Sequence, residues 1–156
     1  FTVYGPWGRP DMALFLFAEA IRNDERIDVF NHGNMIRDFT YVDDIVESIT
    51  RLMIKPPSKD LEWNSENPRI DKSSAPYRIF NIGNGAPVKL MKYIEAVESS
   101  IGKKGVYNMM DIQPGDVPAT HADTSALDEY IGFRPSTPIN EGVEEFINWY
   151  QDFYKR

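Results

Sequence analysis

The chain of 156 residues has the length of one ordinary domain, and 42% of its residues are hydrophobic, which is enough to build a core. The absence of cysteine excludes disulfides, thiolate catalysis and cysteine-type zinc sites, and two isolated histidines make a poor metal site, so we expect no metal. A net charge of −7 repels nucleic acid at long range, and no apolar run approaches the roughly 20 residues that span a bilayer.

The first half of the chain is predicted to alternate strands and helices. Strands are expected at residues 1–5, 27–30 and 37–42, and helices at residues 11–22 and from residue 43 or 44 to about 55. The Gly-centred turn at residues 31–34 favours a hairpin between the second and third strands. Asp11 is the predicted N-cap of the first helix.

The second predicted helix has apolar residues at helical spacing, which indicates one buried face formed by Ile45, Ile49 and Leu52. The adjacent acids Asp43 and Asp44 at its start are more simply explained as a cap and a dipole-compensating carboxylate than as a catalytic pair.

The second half begins with a Pro- and Ser-rich stretch at residues 55–77, which is predicted to be a long surface loop. The remaining predicted elements are a buried strand at 78–83, a helix at 90–101 stopped by Gly102, a strand at 106–112, a constrained loop at 113–118, a short helix capped by Asp123 and closed by Gly132, and a final helix from Pro138. The final helix carries a wide apolar stripe formed by Val143, Phe146, Ile147, Tyr150 and Phe153.

Common catalytic motifs are missing from the sequence, which has no Gly-x-Ser-x-Gly, no phosphate loop, no His-Glu-x-x-His and no Gly-x-Gly-x-x-Gly. Three charged residues instead stand beside Gly- and Pro-rich turns or at a strand start, where α/β folds place ligands: Arg9, Arg37 and Asp116. Arginine suits phosphate and aspartate suits ribose hydroxyls, but each residue could equally be half of a structural salt bridge.

Four segments, in order and with family-like spacing, resemble the extended short-chain dehydrogenase/reductase family, and within it the UDP-glucuronate 4-epimerases. These segments are residues 1–13 (FTVYGPWGRPDMA), 37–45 (RDFTYVDDI), 75–84 (APYRIFNIGN) and 113–118 (QPGDVP) with Ala122 and Asp123 after it. The resemblance implies an α/β fold that is the C-terminal portion of an extended Rossmann-type fold. Residues 1–156 would then be the sugar-nucleotide-binding portion, together with the last strand and helix of the nucleotide domain. The NAD-binding portion would be absent.

The same resemblance implies the roles of six residues in substrate binding. Thr2 would approach the glucuronate carboxylate, Arg9 and Arg37 would contact phosphate or ribose oxygens, and Phe30 would stack near the uracil. Asp116, and with it Gln113, would contact the ribose or cap the closed loop. Phe39, which follows Arg-Asp, is expected to serve packing, and no catalytic residue is expected within the chain.

The implied activity is that of an NAD-dependent epimerase that interconverts UDP-glucuronate and UDP-galacturonate through a 4-keto intermediate. NAD would bind mostly outside this chain, and the whole enzyme is expected to be a cytoplasmic homodimer that binds a UDP-sugar but neither nucleic acid nor membrane. The chain by itself is expected to be inactive. Four alternatives stay open: a UDP-glucuronate decarboxylase, a hexose 4,6-dehydratase, a non-catalytic nucleotide-sugar sensor that has lost the family's Tyr-x-x-x-Lys pair, and an artefactual or proteolytic remnant with no activity of its own.

Overall fold

A computed structural model describes residues 2–154 of the chain, which form five α-helices and six short strands within that range. The strands are β1 (Thr2–Tyr4), β2 (Arg26–Val29), β3 (Ile36–Arg37), β4 (Phe39–Tyr41), β5 (Val88–Lys89) and β6 (Val106–Met109). The helices are α1 (Ala13–Arg22), α2 (Val42–Met53), α3 (Leu90–Ile101), α4 (Ser125–Ile131) and α5 (Ile139–Tyr154), and a 3-10 turn covers Phe30–Gly33. No helix in this range is long and apolar enough to cross a membrane.

The strands form three separate pairs. β1 pairs in parallel with β4, β2 pairs in parallel with β6, and β3 pairs antiparallel with β5. The predicted hairpin between residues 27–30 and 37–42 is therefore wrong. The segment that was expected to be one strand divides at Asp38 into β3 and β4, which pair with different partners, and β2 pairs with β6 instead.

The core is formed where α1, α3 and α5 pack around β1, β2 and β4. Phe39 of β4 is almost fully buried and stacks on Tyr93 of α3, with a centroid distance of 3.9 Å and an interplanar angle of 13°. The expectation that Phe39 serves packing is confirmed. The predicted stripe of α5 is buried at its first four positions, but Phe153 is half exposed because it lies at the end of the helix against Trp7 and Trp149.

The helix ends agree with the sequence in part. Gly102 and Gly132 adopt left-handed conformations that end α3 and α4, as predicted. Asp11 does not cap α1, because Met12 holds the cap position without a side-chain bond, and Asp11 pairs with Arg9 instead. Thr124 holds the cap position of α4, while Asp123 accepts a hydrogen bond from the Ser125 backbone amide at 3.1 Å.

The predicted buried strand at residues 78–83 is not formed. Among residues 2–154 its only pairing is one bridge between Lys72 and Arg78, and Ile79 is half exposed. A strand forms only where a neighbour satisfies its backbone groups, and no neighbouring strand lies beside this segment in the described range.

Helix α2 buries polar rather than apolar side chains, contrary to the sequence prediction. Its buried residues are Asp44 and Ser48, whereas Ile45 and Leu52 are only partly covered. Val46, Ile49 and Met53 are exposed by 55%, 46% and 76%, and we call these three residues the outer face of α2. The outer face of α2 is an apolar surface, and no element within residues 2–154 packs against it.

Candidate functional site

A cavity with a volume of about 700 Å³ opens between β1, α1, β2, β3 and the loop at residues 113–118. A cavity of this size lies in the range that small-molecule and cofactor sites occupy. Its walls combine apolar side chains of α1, such as Leu16 and Phe17, with charged residues of the strand ends. Five of the six residues that the resemblance assigned to substrate binding line it: Thr2, Phe30, Arg37, Gln113 and Asp116.

Arg37 is positioned by strand pairing on one side and by loop contacts on the other. It lies opposite Val88 in the β3–β5 pair, and the preceding residue, Ile36, forms a parallel bridge with Ala119. The guanidinium Nη1 donates to the Ile36 carbonyl at 2.9 Å, and within residues 2–154 no carboxylate lies within ion-pair distance of it. The salt-bridge alternative for Arg37 therefore finds no partner in this range, and Arg37 lines the cavity.

Arg9 differs from this arrangement. Its Nε lies 3.4 Å from Asp11 Oδ1, its Nη2 donates to the sulfur of Met12 at 3.3 Å, and its side chain is 74% exposed. Arg9 lines a second cavity of about 360 Å³, which shares Thr2, Met12, Ala13 and Phe39 with the first cavity. The structure thus does not bring Arg9 together with the other five residues, although the two cavities adjoin at Thr2.

Phe30 reaches the cavity through a strained turn. Asn31 and His32 both have a φ of 50°, and Gly33 follows with a φ of 77°. The Asn31 side chain donates to the Asn34 carbonyl at 2.7 Å, and the His32 amide donates to the Met110 carbonyl at 3.0 Å. Consecutive left-handed residues are costly for any residue except glycine, so these bonds hold a conformation that places Phe30 at the cavity wall instead of in the core.

The cavity has an acidic lining. The lining contains two arginines, Arg26 and Arg37, and five acidic residues, which are Asp11, Glu19, Glu25, Asp28 and Asp116. Neither the net charge of the chain nor the local charge of the lining attracts an anion. An anionic ligand would have to be held by direct contacts with individual groups.

The nearby tyrosines do not provide a base. Burial, followed by the charge of Asp44, raises the pKa of Tyr4, and burial raises the pKa of Tyr93 well above its ordinary value. Burial, followed by the charge of Asp43, also raises the pKa of Tyr41. These hydroxyls stay protonated at neutral pH. Among the described residues no group of three or more His, Cys, Asp or Glu side chains could hold a metal ion.

The Gly-x-Gly turn of the chain does not offer a pyrophosphate site. Its single Gly-x-Gly run is Gly83-Asn84-Gly85, and the amides of that turn are already used. The Asn84 amide donates to Thr40 Oγ1 at 3.2 Å, and the Gly85 amide donates to Asp38 Oδ2 at 3.1 Å. A pyrophosphate requires free backbone amides, so this turn, with its Asn84 and Gly85 amides already bonded, does not hold one.

Sequence reasoning missed several residues of the cavity. Arg26 and Asp28 line it from β2, where they alternate with the buried Ile27 and Val29, so the period of two could have assigned them to the face that Phe30 joins. Met35 and Leu90 also line it, but no local pattern marks them. The sequence marks Asp38 only as part of the Arg-Asp-Phe run, and its complete burial is visible only in the fold.

Comparison with known proteins assigns the chain to a family. The sequence profile of the NAD dependent epimerase/dehydratase family matches residues 1–83, just over half of the chain, and the chain belongs to that family. The Staphylococcus aureus protein CapI is 57% identical over 156 residues, which is 100% of this chain and 47% of CapI. A probable UDP-glucuronate 4-epimerase of Rhizobium meliloti is 49% identical over 157 residues, which is 100% of this chain and 46% of the relative.

A solved structure shows the same fold. UDP-glucuronic acid 4-epimerase from Bacillus cereus, in complex with UDP-glucuronic acid and NAD, superposes with a TM-score of 0.78 at 26% identity. The match covers 99% of this chain and 44% of that protein. The predicted fold class is thereby confirmed as part of an extended Rossmann-type α/β fold, and the chain spans under half the length of these relatives.

Proposed function

We propose that this chain forms the UDP-sugar-binding part of an NAD-dependent UDP-glucuronate 4-epimerase. One observation carries the proposal: five residues from separate segments, expected to bind one substrate, line one cavity of about 700 Å³. The Rhizobium meliloti relative, named as a probable UDP-glucuronate 4-epimerase, supports the choice of substrate, as does the Bacillus cereus structure with UDP-glucuronic acid.

In this proposal the substrate lies along the cavity from Phe30 to Thr2. Phe30 stacks near the uracil, and Asp116 accepts hydrogen bonds from ribose hydroxyls, with Gln113 beside it on the same loop. Arg37 contacts phosphate oxygens through donors that no carboxylate in the described range occupies. Thr2, at the junction of the two cavities, donates to the uronate carboxylate.

Arg9 has a second role within the proposal. Its exposed ion pair with Asp11 contributes little stability, because both side chains are more than two thirds exposed. A ligand carboxylate or phosphate that reaches the second cavity can therefore replace Asp11 as the partner of Arg9. Arg9 then contributes to affinity only when the ligand extends past Thr2.

Residues 1–156 would be the C-terminal sugar-nucleotide portion of the enzyme, and NAD would be held by residues that this chain does not contain. The whole enzyme would be a cytoplasmic homodimer that converts UDP-glucuronate to UDP-galacturonate. Sequencing the gene 5′ of the codon for Phe1 tests the catalytic part of the proposal. A Tyr-x-x-x-Lys pair is expected there, and a frame that extends upstream without that pair would favour a nucleotide-sugar sensor.

Titration calorimetry with UDP-glucuronate tests the binding part on the chain itself. We expect a complex that Arg37→Ala weakens by about tenfold or more, because a hydrogen bond to a charged group is worth about 1.5–3 kcal/mol. Arg69→Ala is the matched control, since Arg69 pairs with Asp71 in the long loop and does not line the cavity. Equal affinities of the wild type, Arg37→Ala and Arg69→Ala, or no binding by the wild type at millimolar ligand, would reject the assignment.

A further inference from the structure

Asp38 is a fully buried carboxylate that directly follows Arg37 in the chain. Its Oδ2 accepts hydrogen bonds from the Ala122 amide at 2.8 Å and from the Gly85 amide at 3.1 Å. These amides lie 84 and 47 residues away in sequence, in two different loops. Asp38 Oδ2 thus links the loops that contain Gly85 and Ala122 to the junction between β3 and β4.

The contacts around Asp38 also fix the loop that carries Gln113 and Asp116. The Ile36 amide donates to the Pro118 carbonyl at 2.9 Å, and the Thr120 amide donates back to the Ile36 carbonyl at 3.1 Å. The Asp38 amide then donates to Thr120 Oγ1 at 3.1 Å. The strand of Arg37 and the end of this loop are therefore held together by three hydrogen bonds and by the Asp38 carboxylate.

The loop itself has little internal support. Residues 113–118 are exposed, and the Asp116 amide donates to the Gln113 carbonyl at 3.1 Å as a single local turn. At its start the loop is tied to β2, where the Met110 amide donates to the Val29 carbonyl at 3.0 Å, and at its end it is tied to β3. The position of Gln113 and Asp116 relative to Arg37 thus depends on both ends, and the bonds at residues 118–122 form the end beside Arg37. When the side chains that bind one ligand are not held at a fixed spacing, affinity falls, because binding must then order them.

We propose that Asp38 is a positioning residue for nucleotide binding. It holds the loop at residues 113–118 against β3 and so sets the distance at which Gln113 and Asp116 face Arg37 across the cavity. This inference rests on the proposed UDP-sugar function. The second carboxylate oxygen, Oδ1, has no hydrogen-bond partner among residues 2–154, so an amide nitrogen can replace it without breaking a bond of the described structure.

The test compares three variants of the chain by their affinity for UDP. Asp38→Ala removes both amide contacts and should weaken UDP binding about tenfold, which corresponds to about 1.4 kcal/mol. Asp38→Asn keeps an acceptor oxygen and should restore the affinity to within about threefold of the wild type. Thr120→Val keeps the carboxylate but removes the hydroxyl that accepts from the Asp38 amide, and it should also weaken UDP binding.

Asp44→Ala is the control for a merely structural role. Asp44 is also buried, and its Oδ2 accepts from the Thr137 amide at 3.0 Å, but neither residue lines the cavity. Asp44→Ala should lower the stability of the fold and leave the Kd for UDP unchanged. An equal loss of affinity in Asp44→Ala and Asp38→Ala, or wild-type affinity in Asp38→Ala, would overturn the proposal.

Amide hydrogen exchange separates failure of this inference from failure of the proposed function. Without any ligand, Asp38→Ala and Thr120→Val should speed exchange at Asp116, while Asp44→Ala should not. If the wild type fails to bind UDP but the exchange pattern holds, the substrate assignment is wrong and the loop fastening stands. If Asp38→Ala does not fold, Thr120→Val decides, and unchanged exchange at Asp116 in that variant refutes the positioning role.

Discussion

Gly142 lies inside α5, where the helix packs against Tyr4 of β1 and Tyr41 of β4. A Cβ atom added there would lie 2.8 Å from Tyr41 Cδ2 and 2.9 Å from Tyr4 Cε2, and closer still to the Tyr4 hydroxyl. Gly142→Ala therefore tests how tightly α5 is seated on the strands that position Thr2. Both tyrosine rings are buried, and Tyr4 packs edge-on against Phe39 and Tyr93.

Two opposing effects determine the sign of the change. Replacing glycine by alanine inside a helix stabilises it by about 0.5–1 kcal/mol because the unfolded chain loses freedom. Forcing a methyl group into a well-packed core costs about 1–3 kcal/mol. The rings cannot turn away, so we expect a net loss of about 0.5–2 kcal/mol in the free energy of unfolding.

Tyr4→Phe provides a second test of this contact, because it removes the Tyr4 hydroxyl, the atom nearest to a Cβ at position 142. The Tyr4 hydroxyl is buried and has no hydrogen-bond partner within residues 2–154, and its raised pKa keeps it protonated. The cost of Gly142→Ala should be smaller by about 0.5–1 kcal/mol in the Tyr4→Phe background, a coupling typical of residues in contact.

Urea unfolding followed by tryptophan fluorescence measures each free energy. Asn148→Ala, at an exposed position of the same helix, is the control for helix propensity alone and should be neutral or slightly stabilising. A more stable Gly142→Ala protein, or the same cost with and without the Tyr4 hydroxyl, would show that α5 is not seated as closely as these distances imply.

Burial alone would raise the pKa of Glu98, but hydrogen bonds from Lys104, Tyr107 and the Gly105 amide lower it. The stability that Glu98 contributes to the fold is therefore present above the ordinary glutamate pKa of about 4.3, and it is lost as the pH falls through the pKa of Glu98 in the folded protein. Glu98→Gln should remove this acid-side dependence from the unfolding free energy, and an unchanged pH profile would contradict it. NAD should bind the chain at best very weakly, because the amides of its Gly-x-Gly turn are already hydrogen-bonded. A micromolar NAD complex measured by calorimetry would show that the chain has a cofactor site elsewhere. The outer face of α2 should drive self-association, which sedimentation at increasing concentration detects, and a monomer throughout would count against it. The affinity for UDP should change by less than about threefold between low and physiological salt, and a tenfold fall would indicate a basic site.

The sequence predicted the local elements better than their pairing. The helices α1, α3 and α5 were found because their apolar spacing and stop residues are local signals. The hairpin prediction is wrong because residues 37–42 look like one continuous strand in the sequence. In the folded chain the buried Asp38 divides this segment into β3 and β4, which pair with different strands. The strand predicted at residues 78–83 is wrong because an apolar pattern alone does not make a strand, and no neighbouring strand pairs with this segment in the described range.

The site residues were predicted from the family resemblance, and residue chemistry alone left them open. Arg9 and Arg37 looked equivalent in sequence, because both stand at turns or strand ends. The fold separates them, since the Asp11 carboxylate lies 3.4 Å from Arg9, while the guanidinium of Arg37 donates to the Ile36 carbonyl and has no ion-pair partner in the described range. Both arginines have an aspartate one or two residues later in the sequence, but in the fold Asp11 pairs with Arg9 whereas Asp38 accepts backbone amides instead.

The acidic lining of the cavity makes geometry more important than net charge for an anionic substrate. A carboxylate about 10 Å away across water opposes a unit negative charge by only about 0.4 kcal/mol, whereas a guanidinium in contact at about 4 Å near a protein surface gains about 4 kcal/mol. One arginine held at the right place can therefore outweigh several acids at the rim. In the proposed complex Arg37 is that arginine, so the bonds that fix β3, including those of Asp38, would matter more to affinity than the charge of the chain.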